Sequence, residues 1–560
     1  MASANEPHVV IIGGGVGGII HAIYLKRELG FSNITIFEQG SDLTGVWHFN
    51  TYPGAASDVR AHWYSLSTDL NPDWETSNIG HVQLKAYWKG LITKYALEKC
   101  VYLNTSVLSA QWNSDRQIYH IQVEDRVAGK SRIVTANAVI SAIGSLDVPH
   151  YPAELKGIQE KFRGAHFHSA RWDHSVDLKN KRVAVIGNGC SAIQLVPFLS
   201  EDPTTHVTSF CRTPSWLLPN MAAPISGFWR AIFRYIPFAM RLQRWAIFSQ
   251  FTSYEQHETI YALLVRGPPS AFGRRLIMKI LRKYIQATAP AEYHERLTPK
   301  YPFGCKRFII DAGYLKALHR PNNDVNFDGV ADVTEKGILT KKGEHYDLDV
   351  IVEATGFVVD DYPLEVRGVG GKTIQEYFRE QAGPTAYRGT TVPGFPNFFM
   401  ALVMKRRRAT YVVQMLKPIL TGLAASFEIT RGATNSWNAQ IQKRISGGVW
   451  TQCHSYYQVG QTGKNTAIWP GSMSEQWWEL SAPVWGDYKA VGATKWENRR
   501  RLAAVWRAVE VGLVLSVAAW AYLRPENVSQ LVRQVGVLID WLILAGGLTV
   551  GWVKQAVGGA

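Results

Sequence analysis

The sequence is poor in cysteine, and its first residues lack the pattern of a secretory leader. Its cysteines are odd in number and include no C-x-x-C pair, so they do not suggest a disulfide framework and favour a reducing compartment. The first eight residues are polar, and the apolar run that follows them is rich in glycine. We therefore expect no signal peptide. The cysteines stand at positions 100, 190, 211, 305 and 453.

Negative charge is also in short supply, yet the positive excess does not indicate a nucleic-acid protein. Lysine and arginine number 60 against 45 aspartates and glutamates, which gives a net charge of +15. These basic residues are scattered and form no recognised nucleic-acid module, so nucleic acid is not an expected partner. Anionic cofactors and a membrane surface explain the charge better. No metal site is predicted.

A strand-to-helix turn near the N-terminus predicts a first dinucleotide site. The apolar run 8–12 is a short buried strand that leads into G-x-G-x-x-G at Gly13, Gly15 and Gly18. Without side chains the backbone can approach a pyrophosphate, whose charge the amide groups and the helix N-terminus offset. The next strand ends in Glu38, which can accept hydrogen bonds from an adenosine ribose and would repel a 2′-phosphate. These features select FAD or NAD over NADP.

A later turn of the same kind predicts a second dinucleotide. An apolar strand is followed by G-x-G-x-x-A at Gly187, Gly189 and Ala192. After the next strand come Arg212 and Thr213, at the place where the first unit has its acid. A guanidinium and a hydroxyl suit a 2′-phosphate, so NADPH is preferred over NADH at this site.

A stretch between the two turns, residues 162–173, has the spacing F-x-G-x-x-x-H-x-x-x-W-D. From the residues alone it is a packed linker with a satisfied histidine, in which glycine permits close approach of the backbone. The residues of this connector motif are Phe162, Gly164, His168, Trp172 and Asp173.

Residues 44–58 carry a second long motif, G-x-W-x-x-x-x-Y-P-G-x-x-x-D. Its Pro-Gly pair marks a turn with restricted dihedral angles, which can bring Trp47 and Asp58 to the same flavin edge. Without the other motifs, an ordinary aromatic loop would explain it. The motif comprises Gly45, Trp47, Tyr52, Pro53, Gly54 and Asp58.

Together these motifs resemble those of type I Baeyer-Villiger monooxygenases, over roughly residues 9–478. The resemblance implies an α/β fold with two Rossmann-like dinucleotide-binding domains, one for FAD and one for NADPH. It implies that Arg307 is the catalytic cation, that Asp58 orients and balances it, and that Lys306 assists with the NADP phosphate. Further cofactor-binding candidates are Tyr64, and Thr355 with Gly356 in an A-T-G turn.

One segment departs from the family pattern. Residues 394–399 resemble the lead-in to a glycine- and asparagine-bearing loop against the flavin, but the run MKRRR at 404–408 follows at once. The expected loop is therefore missing or rewritten. Tyr456 stands where the family often has a tryptophan, so contacts with substrate or nicotinamide are expected to differ.

The length of 560 residues, of which 46% are apolar, exceeds what one hydrophobic core supports, so several domains are expected. A stretch with aromatic residues and arginines at helical spacing predicts a helical insertion, whose aromatic stripe is more often core than binding surface. The expected plan is a first part of the FAD domain at 1–155, an NADP domain at 156–347 with the insertion at 216–290, a second part of the FAD domain at 348–500, and a tail at 501–560.

Two apolar runs near the end, 508–523 and 535–553, predict a C-terminal hydrophobic helical tail. Their lengths are at the short end of the roughly 17–25 residues of a spanning helix. Arginines before the first run and Lys554 after the second would place both outer ends in the cytosol. We expect membrane lipid as a partner and a catalytic body facing the cytosol, for example at the endoplasmic reticulum. Helices packed on the body or on a dimer partner are the alternative.

The family resemblance also implies a reaction. NADPH would reduce FAD, and one oxygen atom of O₂ would enter beside the carbonyl of a small-molecule ketone to give an ester or lactone. Arg307 would stabilise the negative charge that develops, while His168 and Trp172 would couple the nucleotide domains. Membrane-tailed members resemble enzymes of fungal secondary metabolism.

Two other functions stay open. One is a flavin monooxygenase that oxidises nitrogen or sulfur, which shares both glycine turns but usually has a different connector motif. The other is a non-catalytic, membrane-bound flavoprotein scaffold, suggested by the altered run at 404–408. A disulfide reductase is disfavoured because the sequence has no redox pair of cysteines.

Overall fold

The computed structural model describes residues 6–250, 267–359, 361–401, 406–460 and 462–523. The chain divides into a first unit that ends at Gly492 and a second that begins at Ala493. Two five-stranded sheets organise the first unit. The described part of the second unit is a long helix.

The elements alternate between strands and helices for much of the chain. In order, the strands are β1 (Val9–Ile12), β2 (Ile34–Phe37), β3 (Val101–Tyr102), β4 (Thr105–Asn113), β5 (Ile118–Asp125), β6 (Lys130–Ala136), β7 (Ala138–Ser141), β8 (Ala165–His168), β9 (Arg182–Ile186), β10 (His206–Phe210), β11 (Leu217–Leu218), β12 (Ile309–Ile310), β13 (Asn323–Asn326), β14 (Val330–Val333), β15 (Gly337–Thr340), β16 (His345–Asp347), β17 (Val350–Glu353), β18 (Glu365–Arg367), β19 (Phe398–Met400), β20 (Ser426–Ile429) and β21 (Tyr488–Val491). The α-helices are α1 (Val16–Leu29), α2 (Val46–Phe49), α3 (Ala61–Tyr64), α4 (His81–Lys94), α5 (Gly157–Glu160), α6 (Cys190–Leu199), α7 (Gly227–Tyr235), α8 (Ala239–Gln250), α9 (Gly267–Thr288), α10 (His294–Leu297), α11 (Tyr314–Ala317), α12 (Ile374–Glu380), α13 (Arg406–Leu420), α14 (Arg431–Ser446), α15 (Met473–Glu479) and α16 (Thr494–Leu523).

The first sheet is parallel and has the order β19-β7-β1-β2-β3. Val9 of β1 lies opposite Ile34 on one side and Ala138 on the other. Every residue of β1 and β7 is buried, as in parallel sheets that helices cover on both faces. The predicted succession of strand, glycine turn and helix near the N-terminus is confirmed.

The second sheet is also parallel and has the order β13-β10-β9-β17-β8. Its central strand β9 is the predicted strand before the second glycine turn. Strand β17 still pairs with β8 and β9, so the chain leaves this sheet after Glu353 and not before residue 348. The Rossmann-like architecture expected from the two glycine turns is present in both sheets.

A smaller sheet, β18-β4-β5-β6, packs on the first sheet. Strands β4, β5 and β6 are antiparallel, whereas β18 runs parallel to β4. Aromatic side chains fill the space between the two sheets, and Tyr119 of β5 lies 6.3 Å from Phe398 of β19, centroid to centroid. This packing joins chain segments near residues 119 and 398 into one core.

The described part of residues 216–290, where the sequence predicts a helical insertion, contains α7, α8 and α9. Its aromatic stripe is mostly exposed rather than core. Phe233 is 7% exposed, but Trp229 and Trp245 are 53% and 67% exposed. Arg244 anchors α8 by donating a 3.0 Å hydrogen bond to the carbonyl of Ser65.

The helix α16 does not support the expected hydrophobic tail. It contains charged residues through Glu510, and only thirteen uncharged residues follow before it ends at Leu523. A spanning helix needs at least about 17. Among the described residues, no helix is long and apolar enough to cross a membrane. The second apolar run, 535–553, lies outside them, and the cytosol-facing location stays a prediction.

Cys305 and Cys453 form a disulfide, which the cysteine count did not predict. Their Cα atoms are 6.0 Å apart although 148 residues separate them in sequence. Cys305 is fully buried, and Cys453 packs on the same apolar cluster, which includes Trp216 and Trp450. A disulfide between residues that only tertiary packing brings together cannot be predicted from the spacing of cysteines in the sequence. The other three thiols are free.

We expect this disulfide to stabilise the first unit. Cys453→Ser should lower the free energy of unfolding by about 2–4 kcal/mol, because the unfolded chain is no longer cross-linked. Chemical denaturation with and without a reductant measures this loss, and Cys100→Ser is the matched control that should keep the response to reductant. The pairing would be contradicted if all five thiols of denatured, unreduced wild-type protein reacted with a thiol reagent.

Candidate active site

A cavity of about 720 Å³ lies in the first unit. Its walls come from parts of the chain that are distant in sequence, among them the turn after β7 and the helix α14. Apolar side chains dominate the lining, and a few charged groups interrupt it. Those charged groups include Asp58, Arg307, Arg388, Arg408 and Glu479.

The first glycine turn lies at the carboxyl end of β1 and leaves no room for side chains. Gly13 has φ +103°, and a Cβ there would lie 2.6 Å from the carbonyl oxygen of Ala142. A Cβ on Gly18 would lie 2.1 Å from the carbonyl oxygen of Gly13. The turn opens the 14-residue helix α1, whose first amide groups have no partner within the helix. This geometry fits a bound pyrophosphate.

The motif at 44–58 meets this turn directly. Thr44 donates its N–H to the carbonyl of Gly14 at 3.0 Å. A Cβ on Gly45 would lie 2.9 Å from the Cα of Gly15. The two cofactor-binding candidates Gly15 and Gly45 are therefore in van der Waals contact.

Glu38 holds the same turn from the end of β2. Its two carboxylate oxygens accept hydrogen bonds from the N–H groups of Gly14 and Gly40, each at 2.7 Å. Burial raises the pKa of Glu38 above its ordinary value. Each oxygen keeps a further lone pair, so the carboxylate can still accept a hydroxyl of an adenosine ribose.

The second glycine turn repeats this construction at the carboxyl end of β9. Gly187 has φ +112°, and a Cβ there would lie 2.5 Å from the carbonyl oxygen of Ala354. Gly189 precedes helix α6, and Ala192 is 1% exposed in its first turn. The structure therefore offers two separate cradles for pyrophosphate.

Arg212 and Lys306 form a cationic pair near the second turn. Burial lowers the pKa of Lys306, and the charge of Arg212 lowers it further. The Arg212 guanidinium lies 3.2 Å from a carboxylate oxygen of Glu154, and its side chain is 82% exposed. Such an exposed ion pair contributes little energy, so an incoming phosphate can replace Glu154. Thr213 follows, half-buried.

Arg307 and Asp58 form a short ion pair in the wall of the cavity. Nη2 of Arg307 donates to Oδ2 of Asp58 at 2.5 Å, although 249 residues separate them. Their side chains are 39% and 26% exposed. The carboxylate thereby fixes the direction in which the guanidinium presents its remaining N–H groups.

Trp47 and Tyr64 lie beside this pair. Nε1 of Trp47 donates to the hydroxyl of Tyr64 at 2.7 Å, and the two rings meet edge to face. Burial raises the pKa of Tyr64, and the charge of Asp58 raises it further. Asp58 and Arg307 thus line the cavity, and Tyr64 with its partner Trp47 lies behind Asp58 without lining it.

The histidine of the connector motif lies at the junction with the A-T-G turn. His168 is 1% exposed, and its ring packs between Tyr151 and Phe357 with centroids 5.7 Å from each. Its Nδ1 accepts the N–H of Ala170 at 3.1 Å. Burial lowers the pKa of His168 to about 4, so the ring is neutral at physiological pH.

The turn itself is tied to the segment that leads to the connector. The hydroxyl of Thr355 donates to the carbonyl of His150 at 2.5 Å, and the N–H of His150 donates to the carbonyl of Gly356 at 2.9 Å. His168, Thr355 and Gly356 therefore belong to one junction.

The other residues of the connector motif serve local packing. Phe162 is buried, and a Cβ on Gly164 would lie 2.5 Å from the carbonyl oxygen of Asp349. Trp172 packs edge to face on Phe167 at 4.8 Å. Asp173 accepts from the N–H and hydroxyl of Ser175 in a surface turn. The structure does not bring Asp173 to the cavity.

Three charged residues of this region were missed by the sequence analysis. Arg388 and Arg408 line the cavity. Glu353 ends β17 next to the A-T-G turn and is 2% exposed. The available signals were a carboxylate at the end of an apolar strand and the run of arginines at 406–408, which has no place in the family pattern.

Glu353 makes the stability of the protein depend on pH. Burial raises the pKa of Glu353 to about 7, above the 4.5 of an exposed glutamate. The folded state therefore holds an extra proton between those two pH values, and this contribution to stability is lost as pH rises through about 7.

Glu353→Gln should remove this dependence. At pH 8 the variant should be more stable than wild type by up to about 3 kcal/mol, at 1.36 kcal/mol per pKa unit, and near pH 4 the difference should vanish. Denaturation across pH 4–8 measures it, with Glu344→Gln as a surface control. A difference that does not grow with pH would contradict the buried, protonated state.

The sequence matches a family described as flavin-binding monooxygenase-like over residues 6–233. Proteins named Baeyer-Villiger monooxygenase from Pseudomonas aeruginosa and Streptomyces coelicolor are each 33% identical to this chain. The matches cover 84% and 85% of this chain and 89% and 92% of theirs. An FAD-binding monooxygenase of Aspergillus niger is 30% identical over 91% of this chain and 86% of its own.

Solved structures of monooxygenases share the fold of this chain. An oxidised steroid monooxygenase bound to NADP has a TM-score of 0.73 and 26% identity, over 87% of this chain and 99% of that one. A complex of the protein OTEMO with FAD and NADP shares the fold with a TM-score of 0.74 at 24% identity, over the same shares of the two chains. The chain belongs to the Baeyer-Villiger monooxygenases, within the flavin-binding monooxygenase-like family.

Proposed function

We propose that this chain is an FAD- and NADPH-dependent monooxygenase that inserts one oxygen atom of O₂ beside the carbonyl of a ketone, to give an ester or lactone. The observation that carries the proposal is the Arg307–Asp58 ion pair of 2.5 Å, which places an oriented cation in the wall of a mainly apolar cavity. Homology to Baeyer-Villiger monooxygenases supports the reaction type.

FAD binds at the first glycine turn. The absence of side chains at Gly13 and Gly18 leaves the backbone open to its pyrophosphate, and Glu38 accepts the ribose hydroxyls. The flavin end of the molecule then extends into the cavity. The structures of OTEMO and steroid monooxygenase, which contain FAD or NADP, support this arrangement.

NADPH binds at the second glycine turn. Arg212 and Lys306 supply two positive charges for its 2′-phosphate, and Thr213 adds a hydroxyl. Because Arg212 is largely exposed and its ion pair with Glu154 lies at the surface, its guanidinium is accessible to a phosphate. The cofactor supplies a hydride, and FAD supplies the oxygen chemistry once both are bound.

The residues of the cavity have separate tasks in this reaction. Arg307 offers preorganised N–H donors to the negative charge that develops during oxygen transfer, in a site with a mainly apolar lining. Asp58 keeps that guanidinium in place. The neutral His168 ring neither gives nor takes a proton at physiological pH, so it acts by packing at the junction between the two nucleotide sites. A role in secondary metabolism stays a prediction.

Replacing the cation should separate oxygen transfer from flavin reduction. Arg307→Ala should retain FAD and its reduction by NADPH, but product formation should fall about 10²- to 10³-fold, because one preorganised donor to a developing anion is lost. Ester, hydrogen peroxide and NADPH are measured with ¹⁸O₂ and a panel of cyclic and aryl ketones. The matched control is Arg296→Ala, which removes a partly exposed arginine paired with Asp328.

Two results would count against this assignment. Labelled lactone at wild-type yield from the Arg307→Ala protein would remove Arg307 from the chemistry. Only labelled N-oxides or S-oxides from the wild type, with no ester from any ketone, would favour oxygenation of soft nucleophiles instead.

The nucleotide preference should depend on Arg212. Arg212→Ala should weaken NADPH binding by about 1.5–3 kcal/mol, the range for a hydrogen bond to a charged group, and leave NADH nearly unchanged. Steady-state KM values for both nucleotides measure this difference. Arg163→Ala, which removes an arginine of similar exposure, is the control. Equal losses for NADPH and NADH would contradict recognition of the 2′-phosphate.

A further inference from the structure

Arg408 is a buried cation without a counter-charge in the described part of the chain. It lies in the first turn of α13 and is 7% exposed. Its Nε has no hydrogen-bond partner, and none of the ion pairs among the described residues includes it. Burial lowers the pKa of Arg408 to about 10, so the guanidinium remains charged at neutral pH. A buried charge of this kind strongly destabilises a protein unless a ligand or a partner neutralises it.

The guanidinium faces the cavity. Arg408 lines it together with Met400 of β19 and Gly389. A Cβ on Gly389 would lie 3.1 Å from Nη2 of Arg408, so the glycine leaves space for the guanidinium. The positive charge is therefore presented to the interior of the chamber rather than to bulk solvent.

Carboxylates of the cavity lining are engaged by other arginines. Glu479 lies 3.0 Å from Nη2 of Arg388, and Nη1 of Arg388 donates to the backbone carbonyls of Glu479 and Ala482. Asp58 pairs with Arg307 on another part of the lining. Asp147 of the lining lies 3.8 Å from Arg171. None of the ion pairs among the described residues joins a lining carboxylate to Arg408, which points to a ligand.

Arg408 lies close to the start of α1, and this position indicates which ligand contacts it. The carbonyl oxygen of Ala401 lies 3.2 Å from where a Cβ on Gly17 would be, so Ala401, directly after β19, lies against the start of α1. One turn farther along α1, the charge of Arg408 contributes to the lowered pKa of His21. Arg408 therefore lies where FAD passes from the phosphate turn into the cavity. The phosphate-turn residues Gly13 and Gly15 do not line the cavity, whereas Arg408 does.

We propose that Arg408 is the counter-charge for reduced FAD, and this rests on the proposed binding of FAD at the first glycine turn. A hydride from NADPH carries two electrons and one proton. The C–H bond of the nicotinamide breaks, an N–H bond forms on the flavin ring, and NADP⁺ is left. With no second proton the flavin gains one negative charge, and Arg408 donates hydrogen bonds to the ring edge that carries it. Arg408 stabilises the charge of the reduced cofactor by direct contact and takes no part in oxygen transfer.

The test measures the midpoint potential of bound FAD in the holoenzyme, reduced without oxygen by a chemical reductant, together with the dissociation constant of oxidised FAD. Arg408→Gln should weaken the binding of reduced FAD about 100-fold relative to oxidised FAD. For a two-electron couple this lowers the midpoint potential by about 60 mV. Arg407→Gln is the matched control, because Arg407 stacks on Trp477 with its Cζ 3.7 Å from the ring centroid.

The number of protons taken up on reduction gives a second readout that a purely structural role would not change. Wild type should take up one proton per two electrons, as read from the pH dependence of the potential. The reduced ring of Arg408→Gln loses the cation that keeps it anionic, so it should stay protonated up to a higher pH than in wild type. Below that pH the variant should take up two protons per two electrons. Arg408→Lys retains the charge and should keep one proton, with a smaller fall in potential.

The outcomes are distinct. Unchanged potential and proton count in Arg408→Gln would overturn the proposal, as would equal weakening of oxidised and reduced FAD, which would make Arg408 a phosphate ligand. If Arg408→Gln retains no FAD, Arg408→Lys decides: a potential about 30 mV below wild type, for a tenfold change, supports the proposal, and no shift overturns it. None of these measurements uses NADPH or a ketone. Failure of the monooxygenase assignment would appear instead as a wild-type protein that forms no ester.

Discussion

The nucleotide sites of the first unit depend on two positions where no Cβ fits. An added Cβ would lie 2.6 Å from the carbonyl oxygen of Ala142 at Gly13, and 2.5 Å from that of Ala354 at Gly187. Each carbonyl follows the last residue of the strand beside the one that enters the turn, β7 in the first sheet and β17 in the second. The neighbouring strand therefore holds each turn at the carboxyl edge of its sheet, where open α/β sheets bind ligands.

Features encoded by short runs of sequence were predictable. A buried apolar strand, a glycine turn and an acid or a base at the end of the next strand indicated both sheets and their cofactors. The pairing of Arg307 with Asp58 came only from the family resemblance, because nothing in the spacing of two residues 249 apart indicates contact. The structure adds that Asp58 fixes the orientation of the Arg307 guanidinium, which the motif alone does not indicate.

Features that arise from tertiary packing could not be predicted. The disulfide unites Cys305 with Cys453 through an apolar cluster assembled from distant segments. Arg408 was visible only as one arginine in a run of three, and its burial distinguishes it from Arg407, which stacks on an exposed face of α15. In the tail, apolar composition led to a predicted spanning helix that α16 does not support. The charged residues of α16 extend to Glu510, and the apolar stretch after them is too short to cross a membrane.

The strand order of the first sheet has a consequence for synthesis of the chain. Strand β7 is flanked by β1 on one side and by β19 on the other, where Val139 pairs with Phe398 and Ile140 with Phe399. Ribosomes add about 5–20 residues per second, so β19 emerges only after tens of seconds during which β7 is an unpaired edge. That edge is fully buried in the folded protein and apolar except for Ser141, and unpaired apolar edges recruit other chains. The nascent protein is therefore most open to aggregation while its second nucleotide domain is being made, and a chaperone that covers residues 138–141 would act at that stage.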